Sequence, residues 1–268
     1  VRRVSPREVL RRGRRTVRAG LLLLWRRLLR HRARDVTASS SGRATLVVAP
    51  HPDDETFGCG GTIALKRCHG TRVRVLVVTD GRRSHRSAVI SADELSAIRA
   101  AEVGRATAVL GVPAEELVLL GVREDELAAQ YDAVVAAVAA ELRAGSFAEV
   151  LVTSRWDWHE DHQLVSAAVH EAVGRAGGVA RILEYPVWSW VDGPSDLWRA
   201  LGGVRASSVD VSSVIGQKRS AIAEYRSQTT KLTDEETWAV MDATLIGQFL
   251  GGVEVFLEPA SGRAGVWR

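Results

Sequence analysis

Two short clusters in this chain could do chemistry: His51-Pro52-Asp53-Asp54 and His159-Glu160-Asp161-His162. Each follows an apolar run that reads as a buried strand. A hydrolytic zinc ion takes three protein ligands and keeps one position open for water. His51, Asp54 and His162 supply such a set, two imidazoles and a carboxylate. Asp54 stands three residues after His51, a spacing that a loop entering a helix can fold onto one ion. His159 and His162 share a face if they lie on one helical turn. Asp53, beside a ligand but pointing elsewhere, is the candidate general base. His159 is the candidate partner for a developing oxyanion. Alone, an HxxH pair usually decorates a helix, and Asp-Asp after Pro usually marks a turn or a helix start. Their joint placement, each after a strand, argues for one metal site.

The surrounding pattern must position these clusters. Strands are predicted at Thr45–Pro50, Arg72–Thr79, Leu117–Val122, Glu149–Ser154 and Arg181–Val187. Helices alternate with them at Gly58–His69, Ser91–Gly111, Asp125–Ala144 and Asp161–Ala176, and Ser91 with Glu94 reads as a capping box. This rhythm predicts an α/β fold: a Rossmann-like, mostly parallel sheet of order 3-2-1-4-5 with helices on both faces. A C-terminal α/β extension follows, with helices near Gln217–Arg226 and Thr233–Phe249 and a strand at Val253–Glu258. Strands 1 and 4 are then neighbours, and the chain leaves them in opposite directions, which opens a crevice beyond their carboxyl ends. Both clusters should meet there. The run Gly58-Cys59-Gly60-Gly61 lacks the GxGxxG order of a dinucleotide loop, and close helix–strand packing explains it better. His31, His69, His85 and His170 are assigned no chemistry.

The chain has 268 residues, 46% hydrophobic and 25% charged, enough for one large core. Its net charge of +4 is uneven: residues 1–34 hold thirteen Arg and one Glu, about +12, leaving the rest near −8. An acidic body argues against nucleic acid as a partner. Residues 1–34 open on Ser5-Pro6-Arg7-Glu8, a capping box, and carry Leu10, Val17, Leu21, Leu24 and Leu28 at helical spacing beside Trp25. They read as a basic amphipathic helix, suited to peripheral contact with an anionic membrane or to packing on the body or a partner chain, or else as residues ahead of the true start that do not fold. Its four-Leu run is too short to span a bilayer, and no signal peptide is read there. Residues 35–43 read as a linker and 44–268 as the catalytic domain, so a chain beginning at residue 44 should keep the site. Two Cys, Cys59 and Cys68, read as core thiols of a reducing, cytoplasmic compartment.

The segment Ala49-Pro50-His51-Pro52-Asp53-Asp54-Glu55 resembles the metal-binding loop of the PIG-L/LmbE family of zinc-dependent N-deacetylases. The resemblance extends from about residue 44 onward, and His159-Glu160-Asp161-His162 is similar to the family's second motif. It implies Zn2+ on His51, Asp54 and His162, Asp53 as base and His159 as stabiliser of the tetrahedral intermediate. It implies as substrate an N-acetylated amino sugar, of the N-acetylglucosamine type, or its conjugate. Arg99, followed by Glu102, resembles a sugar-contacting residue, and a surface pair between the two is the bland alternative. Glu124 stands where the family usually has an Asp that touches a sugar hydroxyl. Trp188, in Glu184-Tyr185-Pro186-Val187-Trp188, falls beside the family's substrate cleft, and Tyr225 replaces the usual His before Arg-Ser-Gln. These four are the expected substrate contacts. Two rival functions stay open: a zinc amidase for a non-sugar N-acyl group, and a non-catalytic metal- or membrane-surface-binding protein on the same fold. The intact Asp53 argues against the second.

Overall fold

The run Thr-Leu-Val-Val-Ala at 45–49 is buried along its whole length, as β-branched residues covered on both faces of a parallel sheet should be. In the computed structural model, which describes residues 20–177, 180–193, 205–238 and 240–258, it forms the strand that precedes the first motif. Five parallel strands occur in chain order: β2 (Thr45–Ala49), β3 (Val73–Thr79), β4 (Leu117–Val122), β5 (Glu149–Thr153) and β6 (Arg181–Tyr185). They lie side by side as β4-β3-β2-β5-β6, the order expected from the alternating pattern. β2 and β5 are therefore adjacent, with Thr45 opposite Glu149 and Val48 opposite Val152.

Alternate residues of each strand feed two separate cores. Val47, Val75, Val77 and Leu151 face α3 (Asp54–Cys68) and α4 (Ala92–Val109). Leu46, Val48, Leu76 and Val150 face α5 (Tyr131–Gly145) and α6 (Glu160–Arg175). The Ser91/Glu94 capping box opens α4 as read from the sequence.

The C-terminal extension widens the sheet. β7 (Arg205–Asp210) and β8 (Val253–Glu258) give the full order β1-β7-β8-β6-β5-β2-β3-β4, with β8 antiparallel to both neighbours. The edge strand β1 (Arg34–Asp35) pairs with β7. α7 (Trp188–Asp192), α8 (Ile215–Ala223), α9 (Arg226–Thr229) and α10 (Ala243–Phe249) complete the described elements.

Several expectations are corrected. The segment 35–43 is no linker: β1 is followed by α2 (Thr37–Ser41), Val36 is buried, and the Ser40 hydroxyl donates to Glu149 at 2.8 Å. Lys66, buried beneath it, donates to the Ser40 carbonyl at 2.5 Å and pairs with Glu149 at 2.8 Å. α3 starts at Asp54 rather than Gly58, and α5 starts at Tyr131 after a short 3-10 turn. The long helix read at Thr233–Phe249 shrinks to Ala243–Phe249, where Asp242 caps the Leu245 amide at 2.8 Å. The residues before it serve tertiary contacts instead: the Trp238 indole donates to the Ser227 carbonyl at 3.1 Å. Cys59 is buried, but Cys68 is exposed at the end of α3.

The first described residues form a helix, α1, over 20–32, and the earlier part of the basic segment lies outside the described residues, as does Trp198. Trp25 and Leu29 of α1 are buried in the main core, and Arg26 Nε donates to the Trp190 carbonyl at 2.7 Å. Leu21, Leu23 and Leu24 face outward, about half exposed. Among the described residues no helix is long and apolar enough to cross a membrane.

α3 carries the first motif and is bent to do so. Cys59 leaves helical geometry (φ −140°, ψ 20°). Such a break frees amides of the next turn, and Glu254 of β8 accepts from Gly61 and Thr62, each at 2.8 Å. Lys218 of α8 neutralises that carboxylate at 2.7 Å and donates to the Phe57 carbonyl at 2.8 Å. A Cβ on Gly58 would lie 2.1 Å from the Tyr185 ring, so glycine here permits close packing. That bears out the packing explanation of the glycine run.

Candidate active site

Between β2 and α3 the chain turns through 50–53. Thr79 of β3 pins that turn, its amide and hydroxyl both donating to the Pro50 carbonyl at 2.9 and 2.8 Å. Asp53 then adopts φ 140°, ψ −29°, a region that non-glycine residues avoid. Such strain costs roughly 1–3 kcal/mol and persists only where the surroundings enforce it.

The two motifs meet across the β2/β5 junction. Asp54 Oδ2 lies 3.1 Å from His51 Nδ1 and 3.2 Å from His162 Nε2. One ligand atom from each of the three falls within 4.8 Å of the others. His162 is fully buried, and its Nδ1 meets Asp157 Oδ2 at 2.8 Å. Asp157 already accepts from the amides of Val187, Trp188 and Ser189. It is thus an acceptor to His162, which puts the imidazole proton on Nδ1 and leaves Nε2 facing the centre. That Nε2 has no hydrogen-bond partner although it is buried. On the other side, His51 Nε2 meets Asp161 Oδ2 at 3.1 Å, which turns Nδ1 inward.

The electrostatics fit a cation. Burial alone would lower the His162 pKa, but the Asp54 charge and the Asp157 hydrogen bond raise it to about 10. Burial is likewise overcome at His51 by Asp161 and Asp54, which raise it to about 9. Asp54, despite its burial, is held far below the usual carboxylate range by His162 and His51. The centre therefore favours positive charge in a buried place. The residues present fit a metal ion of the kind held by mixed nitrogen and oxygen ligands.

Asp53 faces the same space. Burial raises its carboxyl to about 7, against the pull of Arg99. The Arg99 guanidinium sits 2.9 Å from Asp53 Oδ2 and donates to the carbonyls of Pro52 (2.5 Å) and Gly81 (3.1 Å). Arg99 is 2% exposed, so the surface pair with Glu102 does not exist; Glu102 instead accepts from the Ser227 amide at 2.8 Å. His159 caps α6, its Nδ1 accepting from the Asp161 amide at 3.3 Å. The remaining Nε2 then carries the proton as a donor. Burial and the neighbouring His51 and His162 lower its pKa to about 4, so it is neutral at pH 7.

A cavity of about 400 Å³ opens above these groups. Its lining includes the polar residues Arg83, Ser84, His85, Glu124 and Gln228 and the apolar residues Phe57, Trp158, Trp188, Val191, Met241 and Leu245. Three of the four expected substrate contacts, Arg99, Glu124 and Trp188, line it. Glu124 Oε2 accepts from the Arg83 amide at 2.8 Å while Oε1 points toward His51, 3.9 Å from Nε2. Tyr225 is the correction: it is fully buried behind Phe57, its hydroxyl on Glu55, and Gln228 reaches the cavity from that segment instead. His85, assigned nothing from sequence, stacks on Trp238 with centroids 4.3 Å apart and borders the cavity. Asp157 was also missed. Its signal was chemical rather than periodic, since a ligating imidazole needs an acceptor on its far nitrogen.

Comparison with known proteins agrees with this geometry. The PIG-L family model, described as GlcNAc-PI de-N-acetylase, matches residues 46–173. The 2'-N-acetylparomamine deacetylase of Streptomyces fradiae is 33% identical over 213 residues, 72% of this chain and 76% of that protein. The chain belongs to the PIG-L family. Its fold is similar to that of the N,N'-diacetylchitobiose deacetylase from Pyrococcus horikoshii, with a TM-score of 0.62 and 23% identity over 81% of this chain and 84% of that one. The 4-carboxy-2-hydroxymuconate hydratase of Pseudomonas putida has the same fold, with a TM-score of 0.60 and 18% identity over 83% and 98% of the chains. The fold thus hosts more than one reaction, and the reaction must be argued from the site.

Proposed function

We propose that this protein is a metal-dependent N-deacetylase that hydrolyses the acetamide of an N-acetylglucosamine-type amino sugar or its conjugate, releasing acetate and a free amine. The observation that carries this is the buried Nε2 of His162, which makes no hydrogen bond and lies 3.2 Å from Asp54 Oδ2, with His51 on the same oxygen and Asp53 one residue away. Zinc suits two imidazoles and a carboxylate with an open position, and bound there it would supply Lewis acidity to the amide carbonyl and to water.

The chain's own residues do the rest. Asp53 accepts a proton from the attacking water and returns one to the departing amine, a task suited to a carboxyl near neutrality. Arg99 holds that carboxylate in place. The His159 Nε2–H donates to the acetamide oxygen as it gains negative charge. Asp157 and Asp161 keep His162 and His51 turned inward. Glu124 accepts a sugar hydroxyl, and Trp188 with Trp158, centroids 5.2 Å apart, offers a ring face to the sugar.

A non-sugar N-acyl amide is the second reading, favoured by the apolar residues in the lining. Acetate release from a panel of N-acetylglucosaminyl conjugates and N-acyl non-sugar amides, with and without chelator, separates the two. Release from no sugar conjugate would sink the first reading. Two unpaired cysteines suit the cytoplasm. Peripheral contact of residues 1–34 with anionic lipid is supported by Leu21, Leu23 and Leu24 lying exposed among arginines. Co-sedimentation with anionic vesicles at low and high salt tests it; no salt-sensitive pelleting would refute it.

A further inference from the structure

Tyr225 and Glu55 have no part in the chemistry derived above, yet both are fully buried within reach of Asp53. The Tyr225 hydroxyl donates to Glu55 Oε1, and the Thr56 hydroxyl donates to the same oxygen at 2.6 Å. The other oxygen, Oε2, accepts the Asp53 backbone amide at 3.1 Å. Asp53 is thereby held at three points. Glu55 holds its amide, the amides of Thr56 and Phe57 hold its carbonyl at 3.0 and 2.9 Å, and Arg99 holds its carboxylate. Two of these anchors are ordinary, a helix start and an ion pair. The third is a buried carboxylate fixed from behind by a phenol that comes from the far C-terminal part of the chain.

We propose that Tyr225 and Glu55 form a positioning pair that locks Asp53 in its left-handed backbone conformation and so aims its carboxylate at the reacting water. A residue at φ 140° relaxes toward the ordinary β or α regions unless its amide is captured. Relaxation would rotate the Asp53 side chain away from the centre while leaving its neighbours His51 and Asp54 tied to each other. Tyr225 acts one layer away: it fixes which way Glu55 presents its second oxygen. The inference rests on the reading of Asp53 as general base.

The test is a double-mutant cycle on the full chain, with N-acetylglucosamine conjugate as substrate. Tyr225→Phe keeps the ring and removes the hydroxyl. It is expected to lower kcat roughly tenfold, a part of the ~10²-fold or more that general acid–base work contributes, with KM and bound zinc unchanged. In the Asp53→Asn background the same change is expected to do nothing further, because its effect runs through that carboxylate. Glu55→Gln, which weakens the acceptor of the Asp53 amide, should repeat the pattern, and serves if Tyr225→Phe unfolds. Equal losses in both backgrounds, or a loss carried by KM or metal content, would overturn the inference. Normal turnover in Asp53→Asn alone would instead overturn the base assignment, so the two failures are told apart.

Discussion

His51, Asp54 and His162 are each expected to be necessary for metal. About one equivalent should be found by elemental analysis and lost in His51→Ala or His162→Ala; full retention in either would remove that ligand from the set. Asp157→Asn leaves the ligands but takes away the acceptor that fixes the His162 tautomer. Metal affinity is then expected to fall ~10–100-fold, the usual scale for such a partner, as read by competition with a chromophoric chelator. Asp53→Asn should keep metal and lose ~10²-fold or more in turnover. The buried ion pair changes what is expected of Arg99. Its guanidinium lies 2.9 Å from the Asp53 carboxylate, so Arg99→Ala should reduce kcat rather than raise KM alone. That the two motifs would meet at one centre was legible because short motifs after strands carry their own chemistry; the ligand and base roles within it are the proposal. Tyr225 was misplaced because a matching motif says which segment nears the cleft, not which side chain of it turns inward. Gln228, three residues on, is the one that does.

At the scale of elements, the described start of the chain behaves as part of the body. A chain beginning at residue 44 would strip Trp25, Leu29 and Val36 from the core and leave Glu149 and Lys66 without Ser40. Removing one large buried side chain typically costs ~3–5 kcal/mol, so the shortened chain is expected to melt well below the full one rather than match it. Equal melting temperatures would show that α1 and α2 are appended rather than integral. The sequence hid this because Ser- and Ala-rich stretches look like linkers whatever they are packed against. A second element-scale expectation concerns β6. Burial alone would raise the pKa of its Glu184, but His170 and Arg155 outweigh burial and hold it below the ordinary 4.5. A carboxyl whose pKa is lowered by folding stabilises the fold above its unfolded pKa and loses that contribution as pH falls through the folded value. Glu184→Gln should therefore cost stability at pH 7, and the gap should close in acid. A pH-independent gap in denaturant midpoints would place the effect in packing instead.

For the whole molecule, the alternating pattern was enough to place β4-β3-β2-β5-β6, because each parallel crossover has one favoured hand. It missed β1 and β7, which are short or polar and gain their order only from β8. That arrangement has a temporal side. The half of the sheet bearing both motifs is built from strands that follow one another along the chain, ending at Tyr185. β1 can pair only with β7, and β7 is joined to that half only through β8, the last strand described. β1 therefore gains its sheet neighbour only when β7 and β8, both far along the chain, are in place. Closing that edge is a contact between distant parts of the chain, so it is expected to be the late and slow step of folding, with the half that carries the motifs forming before it.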